Sequence, residues 1–238
     1  MKLKKRRLTL VLSLLAAVAT WLVVNPNSYD LDYVEDSAVV ATETDPNTPL
    51  ASAILEKLAI KGRSPKTDYN RENFYKTWPT VDGCNLRQKI IKREFGDTAI
   101  LDGCTVLSGE YDEPYTGEHK VYQDKPAISK GIQIDHVVAL SDAWQKGANY
   151  EHMDDATRYA LATDPLNLLA VDASTNQKKS DGDAATWLPP NKKFRCQYVA
   201  RQVSVKYKYN LWVTEAEKIA IQKILANCPN EPAVGVNI

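Results

Sequence analysis

The feature that most constrains the fold is a pair of short apolar stretches followed by a polar segment. GIQIDHVVAL (residues 131–140) alternates like a β-strand, and PLNLLAVD (165–172) reads as a compact apolar strand. ASTNQKKS (173–180) has the pattern of a short helix. The order strand, strand, helix predicts a ββα core over about residues 131–182. Two helical pieces, SDAWQKGA and MDDATRYALAT, predict an insertion within this core at residues 141–164.

Four polar residues occupy defined places in this predicted core. Asp135 and His136 are adjacent on the first strand, so their side chains leave opposite faces. Asn167 opens the second strand, and Asn176 lies on the short helix. Hydrolysis of a phosphodiester needs a base, which a neutral histidine supplies, and a cation that stabilises negative charge. Because Mg²⁺ needs few protein ligands, Asp135 and Asn176 could hold it while His136 faces the phosphate.

Each of these residues also has a structural interpretation. An isolated Asp-His pair is most often a polar strand end, Asn167 can satisfy backbone groups of a turn, and Asn176 can be a helix-surface residue. Lys178 and Lys179 follow on the same helix and are candidates for contact with phosphate oxygens.

The N-terminus has the pattern of an export signal. MKLKKRR is basic, and the uncharged apolar run that follows it completes a leader over residues 1–24, with a small-residue cleavage site at Ala17-Val18-Ala19. An uncleaved signal anchor is the alternative. Residues 25–50 are acidic and lack helical period, which predicts a disordered spacer before a domain at 51–238. We therefore expect bacterial export, with the protein secreted or anchored at the extracellular surface.

The four cysteines agree with export. An even number in an exported chain predicts two disulfides, for which three pairings exist. The pairs Cys84–Cys104 and Cys196–Cys228 are favoured because each is close in sequence and flanks predicted elements. A zinc site built from four thiolates is the alternative, although no two cysteines have the close spacing such sites show.

Charge is distributed unevenly. Residues 51–238 are nearly neutral, which by itself does not indicate a nucleic-acid binder. Between Asn176 and Asn210, however, eight Lys or Arg stand against two Asp. Such a cluster is typical of a solvated face or of a surface that contacts nucleic acid. Arg87 and Arg195 are candidates for phosphate contact, with salt bridges or solvent as the alternative.

Helix signals outside the ββα core predict a mainly helical domain. Thr48-Pro49 predicts a helix start that leads to a stop at Gly62, and CNLRQKIIKREFG predicts a helix closed by Gly96. KKFRCQYVARQVSVKYK predicts a long helix. EAEKIAIQKILAN predicts another, opened by Thr214 and Glu217 as a capping box.

IDHVVAL followed by NLLAVDASTNQKKSDGD resembles the core of HNH (ββα-metal) endonucleases. Over residues from about 69 to 228 the chain is similar to the exported, DUF1524-type members of that family. The shared stretches include YTG, IDHVVALSDAWQKGA, DPLNLLAVDASTNQKKSDGDAATWLPPN and FRCQYVARQVSVKYKYNLWVT.

The resemblance implies a role for five residues. His136 would be the general base that activates water, and Asp135 and Asn176 would bind one divalent ion, Mg²⁺ or alternatively Mn²⁺. Asn167 would belong to the catalytic set by holding the His-bearing loop through hydrogen bonds. Lys179 would lie near the substrate backbone.

The chain departs from the family pattern in three places. Asn176 stands at a position where histidine is also found, which disfavours tight zinc binding. The insertion between His136 and Asn167 is long, and GCNLRQ replaces the expected GCDTRN around Arg87.

Together these features predict an α+β fold, a mainly helical domain around a ββα-metal (HNH) core with short strands and two disulfides. The expected function is hydrolysis of phosphodiester bonds in DNA, with RNA as a further substrate class. The alternatives are an inactive, surface-anchored nucleic-acid-binding protein with the same fold, and a cell-envelope domain unrelated to nucleic acid. The expected partners are nucleic acid and, only through an uncleaved leader, a membrane; no obligate protein partner is expected.

Overall fold

The computed structural model describes residues 48–235, which form an α+β domain and confirm the predicted fold class. The predicted leader (1–24) and the predicted spacer as far as residue 47 lie outside the described residues. Within residues 48–235, none of the helices combines the length and apolar character needed to cross a membrane.

Eight α-helices and seven short strands make up the described part of the chain. The helices are α1 (Ala51–Leu55), α2 (Leu86–Phe95), α3 (Lys125–Gly131), α4 (Leu140–Ala143), α5 (Asp155–Thr163), α6 (Ala173–Lys179), α7 (Arg195–Lys208) and α8 (Glu215–Leu225). The strands are β1 (Thr80–Val81), β2 (Cys84–Asn85), β3 (Ile100–Asp102), β4 (Thr105–Asp112), β5 (His119–Tyr122), β6 (Ile132–His136) and β7 (Leu168–Asp172). They form three antiparallel sheets, ordered β1-β2, β3-β4-β5 and β6-β7. A π-helical turn (Trp144–Ala148) continues α4.

Strands β6 and β7 and helix α6 form the ββα unit. The two strands pair with His136 opposite Leu168 and Asp135 opposite Leu169. Helix α6 begins directly after β7 because Asp172 caps it, its carboxylate accepting from Thr175 N at 2.8 Å. The short polar helix is therefore attached to the end of β7 without an intervening loop.

Strand β7 lies between two parts of the hydrophobic core. Leu169 and Val171 pack in the part built mainly from α1, α7 and α8, while Leu168 and Ala170 pack in the part built from α2, β4 and β6. Alternate side chains of a strand point to opposite faces, and both faces of β7 are covered. This explains why the strand reads as a continuous apolar run.

Both favoured disulfides are confirmed. Cys84 pairs with Cys104 and Cys196 with Cys228. The second bridge joins α7 to the segment that follows α8. The alternative of a four-thiolate zinc site is wrong, because all four sulfurs are in disulfides.

The first predicted helix is shorter than expected. The pattern from Thr48 to Gly62 forms only α1, and the chain after it pairs Ile60 with Val213 as an isolated bridge. The backbone N–H at the start of α1 donates to the Glu231 carbonyl at 3.0 Å. Contacts with distant segments thus override the local helix signal. Helix α3 was not predicted; Asp124 caps it.

The predicted capping box at α8 is half correct. The Thr214 hydroxyl accepts from Glu217 N at 3.2 Å, as expected for an N-cap. The Glu217 carboxylate does not accept a hydrogen bond from the backbone N–H of Thr214, as a complete capping box requires. It is fully buried and contacts Lys146 and Lys206 instead.

A charged cluster joins segments that are distant in sequence. It consists of three cations and three carboxylates: Arg63, Lys146, Lys206, Asp142, Asp183 and Glu217. Lys146 Nζ lies 2.7 Å from carboxylate oxygens of both Asp142 and Asp183. It also lies 2.6 Å from Glu217, and Lys206 Nζ lies 2.7 Å from the same carboxylate. Because Asp142 and Lys146 follow β6, the cluster fixes the segment that begins just after His136.

Candidate active site

A cleft of about 320 Å³ opens beside the ββα unit. Asp135, His136 and Asn176 all line it. The rest of the lining comes from Ile134, from residues 66–71, from residues 139–141 after β6 and from the segment after α6. The structure therefore brings three of the four residues singled out in the predicted core to one open cleft, and Asn167 is the exception.

His136 is held in one orientation. Its Nε2 lies 2.9 Å from the Ala162 carbonyl oxygen. A carbonyl only accepts hydrogen bonds, so Nε2 carries the proton and Nδ1 of the neutral ring keeps its lone pair. The Trp78 ring stacks on the imidazole at 6.0 Å with an interplanar angle of 8°, and Tyr75 lies at 5.8 Å. Among residues 48–235, Nδ1 has no hydrogen-bond partner.

The environment of His136 favours its neutral form. Burial is the main reason why the pKa of the imidazole falls to about 3; the bond to Ala162 opposes this fall, and the nearby charges of Arg71 and Lys179 add to it. The ring in the free protein is therefore an unprotonated base.

Asp135 is buried and both of its oxygens have protein donors. Lys179 Nζ donates to Oδ1 at 2.9 Å, and the Tyr115 hydroxyl donates to Oδ2. Burial raises the pKa of the Asp135 carboxyl above its ordinary value, while Lys179 and Tyr115 oppose that rise.

Asn176 completes a donor set suited to a hard divalent ion. Its Nδ2 donates to Gln133 Oε1 at 2.9 Å, which leaves Oδ1 without a partner in the described part of the chain. The carboxylate of Asp135 has lone pairs beyond the two that accept from Lys179 and Tyr115. One carboxylate and one amide oxygen beside an open cleft fit Mg²⁺ or Mn²⁺, which retain several waters.

Asn167 lies under the loop that follows His136. Its Oδ1 accepts from Val138 N at 2.8 Å, and its Nδ2 donates to the Leu161 carbonyl at 3.2 Å. Asn167 is fully buried, so these bonds replace water for groups that would otherwise lack partners. Its side chain connects the segment after β6 to the end of α5.

Lys179 is buried against Asp135, whereas the sequence predicted a position near the substrate backbone. Its ammonium group is buried and donates to Asp135 and to the His136 carbonyl, each at 2.9 Å. A phosphate could reach it only by displacing these acceptors, so this placement disfavours the expected contact with the substrate backbone. Lys178, the next residue toward the N-terminus, is exposed and lines a groove beside the cleft.

The two arginines proposed for phosphate contact both bond to main-chain carbonyls. Arg87 Nη2 donates to the Ile132 carbonyl at 3.1 Å, at the start of β6. Arg195 Nε donates to the Pro189 carbonyl at 2.8 Å. Neither lines the cleft. Their phosphate contact stays a prediction that this placement does not favour.

The sequence model of one protein family matches the chain over residues 85–224, more than half of its length. Its description is "GmrSD restriction endonucleases, C-terminal domain". The chain belongs to this family. The GmrSD C-terminal domain family relates the chain to nucleases, and the matched segment contains the whole ββα unit.

A second comparison identifies a relative of similar length. A protein of Arthroderma benhamiae, described as an uncharacterized secreted protein, is 34% identical over 191 residues. The alignment covers 78% of this chain and 89% of the relative. No solved structure matches the chain.

Part of the cleft comes from outside the segment that matches the GmrSD C-terminal domain. Lys66, Tyr69 and Arg71 line the cleft, and Tyr75 and Trp78 pack on His136. Sequence reasoning did not select these residues because nothing in their local pattern distinguishes them from a polar loop. Their shared feature, proximity to His136, depends on tertiary structure.

Tyr115 was also missed as a site residue, although the YTG stretch drew attention to its segment. Its hydroxyl bonds Asp135, and its ring packs edge-on against Trp187 and Tyr198. An aromatic residue in a short turn is usually assigned to the core, and Tyr115 is indeed fully buried.

Proposed function

We propose that this protein is an exported, metal-dependent endonuclease of the HNH type that hydrolyses phosphodiester bonds of DNA, with RNA as a further substrate class. The observation that carries the proposal is the geometry of His136. Its Nε2–H is fixed on the Ala162 carbonyl, and the ring lines the same cleft as Asp135 and Asn176. Family membership supports a nuclease, and the leader pattern together with the secreted relative supports export.

In this proposal His136 acts as the general base. Nδ1 accepts a proton from a water molecule as that water attacks the phosphorus in line with the leaving oxygen. The bond from Nε2–H to Ala162 holds the ring throughout, and stacking on Trp78 limits its rotation. Asn167 fixes the backbone just after the strand that carries His136.

Asp135 and Asn176 would hold one divalent ion, Mg²⁺ or Mn²⁺. An ion held there would supply positive charge that stabilises the negative charge developing on the phosphoryl group and the leaving oxygen. Attack by water would break the P–O3′ bond, and the 3′ oxygen would take up a proton from solvent, which leaves 5′-phosphate and 3′-hydroxyl ends. Asp135 supplies the charged ligand, and Asn176 supplies the neutral one.

The substrate itself adjusts the base. Burial and, to a smaller extent, the charges of Arg71 and Lys179 lower the pKa of the His136 imidazole in the free protein. A phosphate anion in the cleft offsets the positive charges and so raises that pKa, which makes His136 a stronger base.

The first test is metal dependence. We expect the purified protein to nick supercoiled plasmid DNA in the presence of Mg²⁺ or Mn²⁺ and to stop when a chelator is added. The products should carry 5′-phosphates, which a ligase can reseal. Nicking that persists at full rate in excess chelator would overturn the metal-dependent mechanism.

Arg71 is the expected phosphate contact on the loop side of the cleft. Arg71 is exposed and lines the cleft together with Lys66. Lys66 Nζ forms an ion pair with the Asp181 carboxylate at 3.1 Å, so its charge is partly neutralised. We expect Arg71→Ala to weaken the binding of a labelled duplex DNA several-fold and to reduce the slope of log K against log salt by about 1. Fluorescence anisotropy at several salt concentrations measures both quantities.

Lys76→Ala provides the matched control for Arg71→Ala. Lys76 is an exposed cation in the same segment and does not line the cleft. Its removal should change DNA binding little. If the two variants bind DNA equally well, Arg71 has no special part in contacting phosphate.

An inactive nucleic-acid-binding protein is the second candidate function. The bonds that occupy both oxygens of Asp135 favour it, because Lys179 already neutralises the proposed metal ligand. This candidate predicts DNA binding with a steep salt dependence and no cleavage with any divalent ion. The plasmid assay separates the two functions directly.

A further inference from the structure

The ion pair between Lys179 and Asp135 is built into the core of the ββα unit. The Lys179 side chain is 0% exposed and that of Asp135 is 6% exposed. The same ammonium group also donates to the His136 carbonyl at 2.9 Å. If this ammonium group moved into solvent, the buried Asp135 carboxylate would lose its counter-charge and the His136 carbonyl would lose this hydrogen bond. Asp135 therefore has a permanent counter-ion.

Tyr115, the second donor to Asp135, is held in place by Glu113. Glu113 is fully buried, and its carboxylate accepts from Tyr115 N at 3.1 Å, from Thr116 N at 2.6 Å and from Asp172 N at 3.1 Å. These bonds attach the turn carrying Tyr115 to the end of β7. The carboxylate of Asp135 is thus fixed in place by groups from both sides of the ββα unit.

The counter-ion changes what the cleft attracts. Asp135 and Lys179 cancel as formal charges, and Asn176 is neutral. Of the other charged residues lining the cleft, Lys66 and Arg71 are cations and Asp181 is an anion. A divalent cation alone meets a site whose formal charge is positive, whereas a phosphodiester anion is attracted by it.

We propose that Lys179 makes metal binding depend on the nucleic-acid phosphate. The free protein binds Mg²⁺ or Mn²⁺ weakly, and the ion enters the site together with the phosphate, which supplies the missing negative charge and further oxygen ligands. By linkage, the metal tightens nucleic-acid binding by the same factor as nucleic acid tightens metal binding. This inference rests on the proposed function, because it takes Asp135 and Asn176 as the metal ligands.

The test measures Mn²⁺ binding rather than activity. Full-length protein carrying His136→Ala, which prevents cleavage, is titrated with Mn²⁺ at mildly alkaline pH with and without a short duplex DNA. The paramagnetic resonance signal of free Mn²⁺ gives the bound fraction. We expect the dissociation constant for Mn²⁺ to fall at least about tenfold when DNA is present, within the usual range of coupling between two sites. Equal affinity in both titrations overturns the inference and leaves the proposed function standing.

A second pair of variants tests Lys179 itself. Lys179→Met removes the charge and keeps the length of the side chain, so it should raise the affinity of the DNA-free protein for Mn²⁺ about tenfold and reduce the coupling to DNA. Lys178→Met removes a charge from the same helix at an exposed position and should leave that affinity unchanged. If both variants behave like the parent, Lys179 does not control the metal. If Lys179→Met does not fold, the inference stands or falls on the Mn²⁺ titration of the His136→Ala protein with and without DNA.

If the proposed function itself is wrong, the outcome differs from the equal Mn²⁺ affinities that would overturn this inference alone. Absence of Mn²⁺ binding with and without DNA, combined with absence of nicking by the unmutated protein, overturns the endonuclease proposal and this inference together.

Discussion

Lys146→Met is expected to lower the free energy of unfolding by about 3–5 kcal/mol. Lys146 is fully buried and contacts three carboxylates of the charged cluster. Methionine has a similar length, so packing changes little and the loss is mainly electrostatic. The cluster then retains three carboxylates against the two cations Arg63 and Lys206, which leaves one negative charge uncompensated in the interior.

Urea unfolding followed by circular dichroism measures this change as a shift of the midpoint at constant slope. The matched control is Lys89→Met. Lys89 pairs with Asp82 at 2.5 Å on the surface, where both side chains are well exposed. An exposed pair contributes at most about 1 kcal/mol, so this variant should unfold close to the parent midpoint.

A double variant separates charge balance from local packing. Adding Glu217→Gln to Lys146→Met restores equal numbers of cations and carboxylates in the cluster. We expect the double variant to be less destabilised than the sum of the two single changes, because the residues interact directly at 2.6 Å. Additive effects would show that the cluster does not act as one electrostatic unit.

His136→Ala is expected to lower the rate of DNA cleavage by about 10²–10⁴-fold, the usual contribution of a general base. The variant should still bind DNA, because Arg71 and Lys66 supply the positive charge in the cleft. It should also fold, although the loss of stacking on Trp78 and of the bond to Ala162 will lower its stability. A loss of rate with DNA binding retained distinguishes a chemical role from a structural one.

His119→Ala is the control for this substitution. The chain has three histidines, and His119 is an exposed one on β5 that contacts Asp112 at 2.9 Å. It has no contact with the cleft. Its replacement should leave the cleavage rate unchanged.

Local sequence patterns were sufficient to predict the ββα unit. Alternation in β6, the apolar run of β7 and the polar helix pattern of residues 173–180 are all determined by neighbouring residues, and each gave the observed element. The resemblance to HNH endonucleases then drew attention to Asp135, His136 and Asn176, which the structure places around one cleft.

The partners of these residues could not be predicted in the same way. Tyr115 and Arg71 reach the site from segments whose sequence carries no signal for it. Lys179 looked like a surface lysine beside Lys178, and only the position of α6 against β6 shows that it is buried on Asp135. Glu217 matched a local capping pattern, but the burial of Lys146 and Lys206 beside it decided its orientation. For Lys179 and Glu217, a long-range electrostatic contact outweighed the local preference.

The most direct test of the central claim compares the plasmid-nicking rates of the parent, His136→Ala and His119→Ala with Mg²⁺. The assay must resolve at least a 10⁴-fold range, the upper end of the effect expected for a general base. The proposed mechanism predicts that the parent and His119→Ala nick at the same rate while His136→Ala is slower by about 10²-fold or more. If His136→Ala nicks as fast as the parent, His136 is not the base and the proposed active site is wrong.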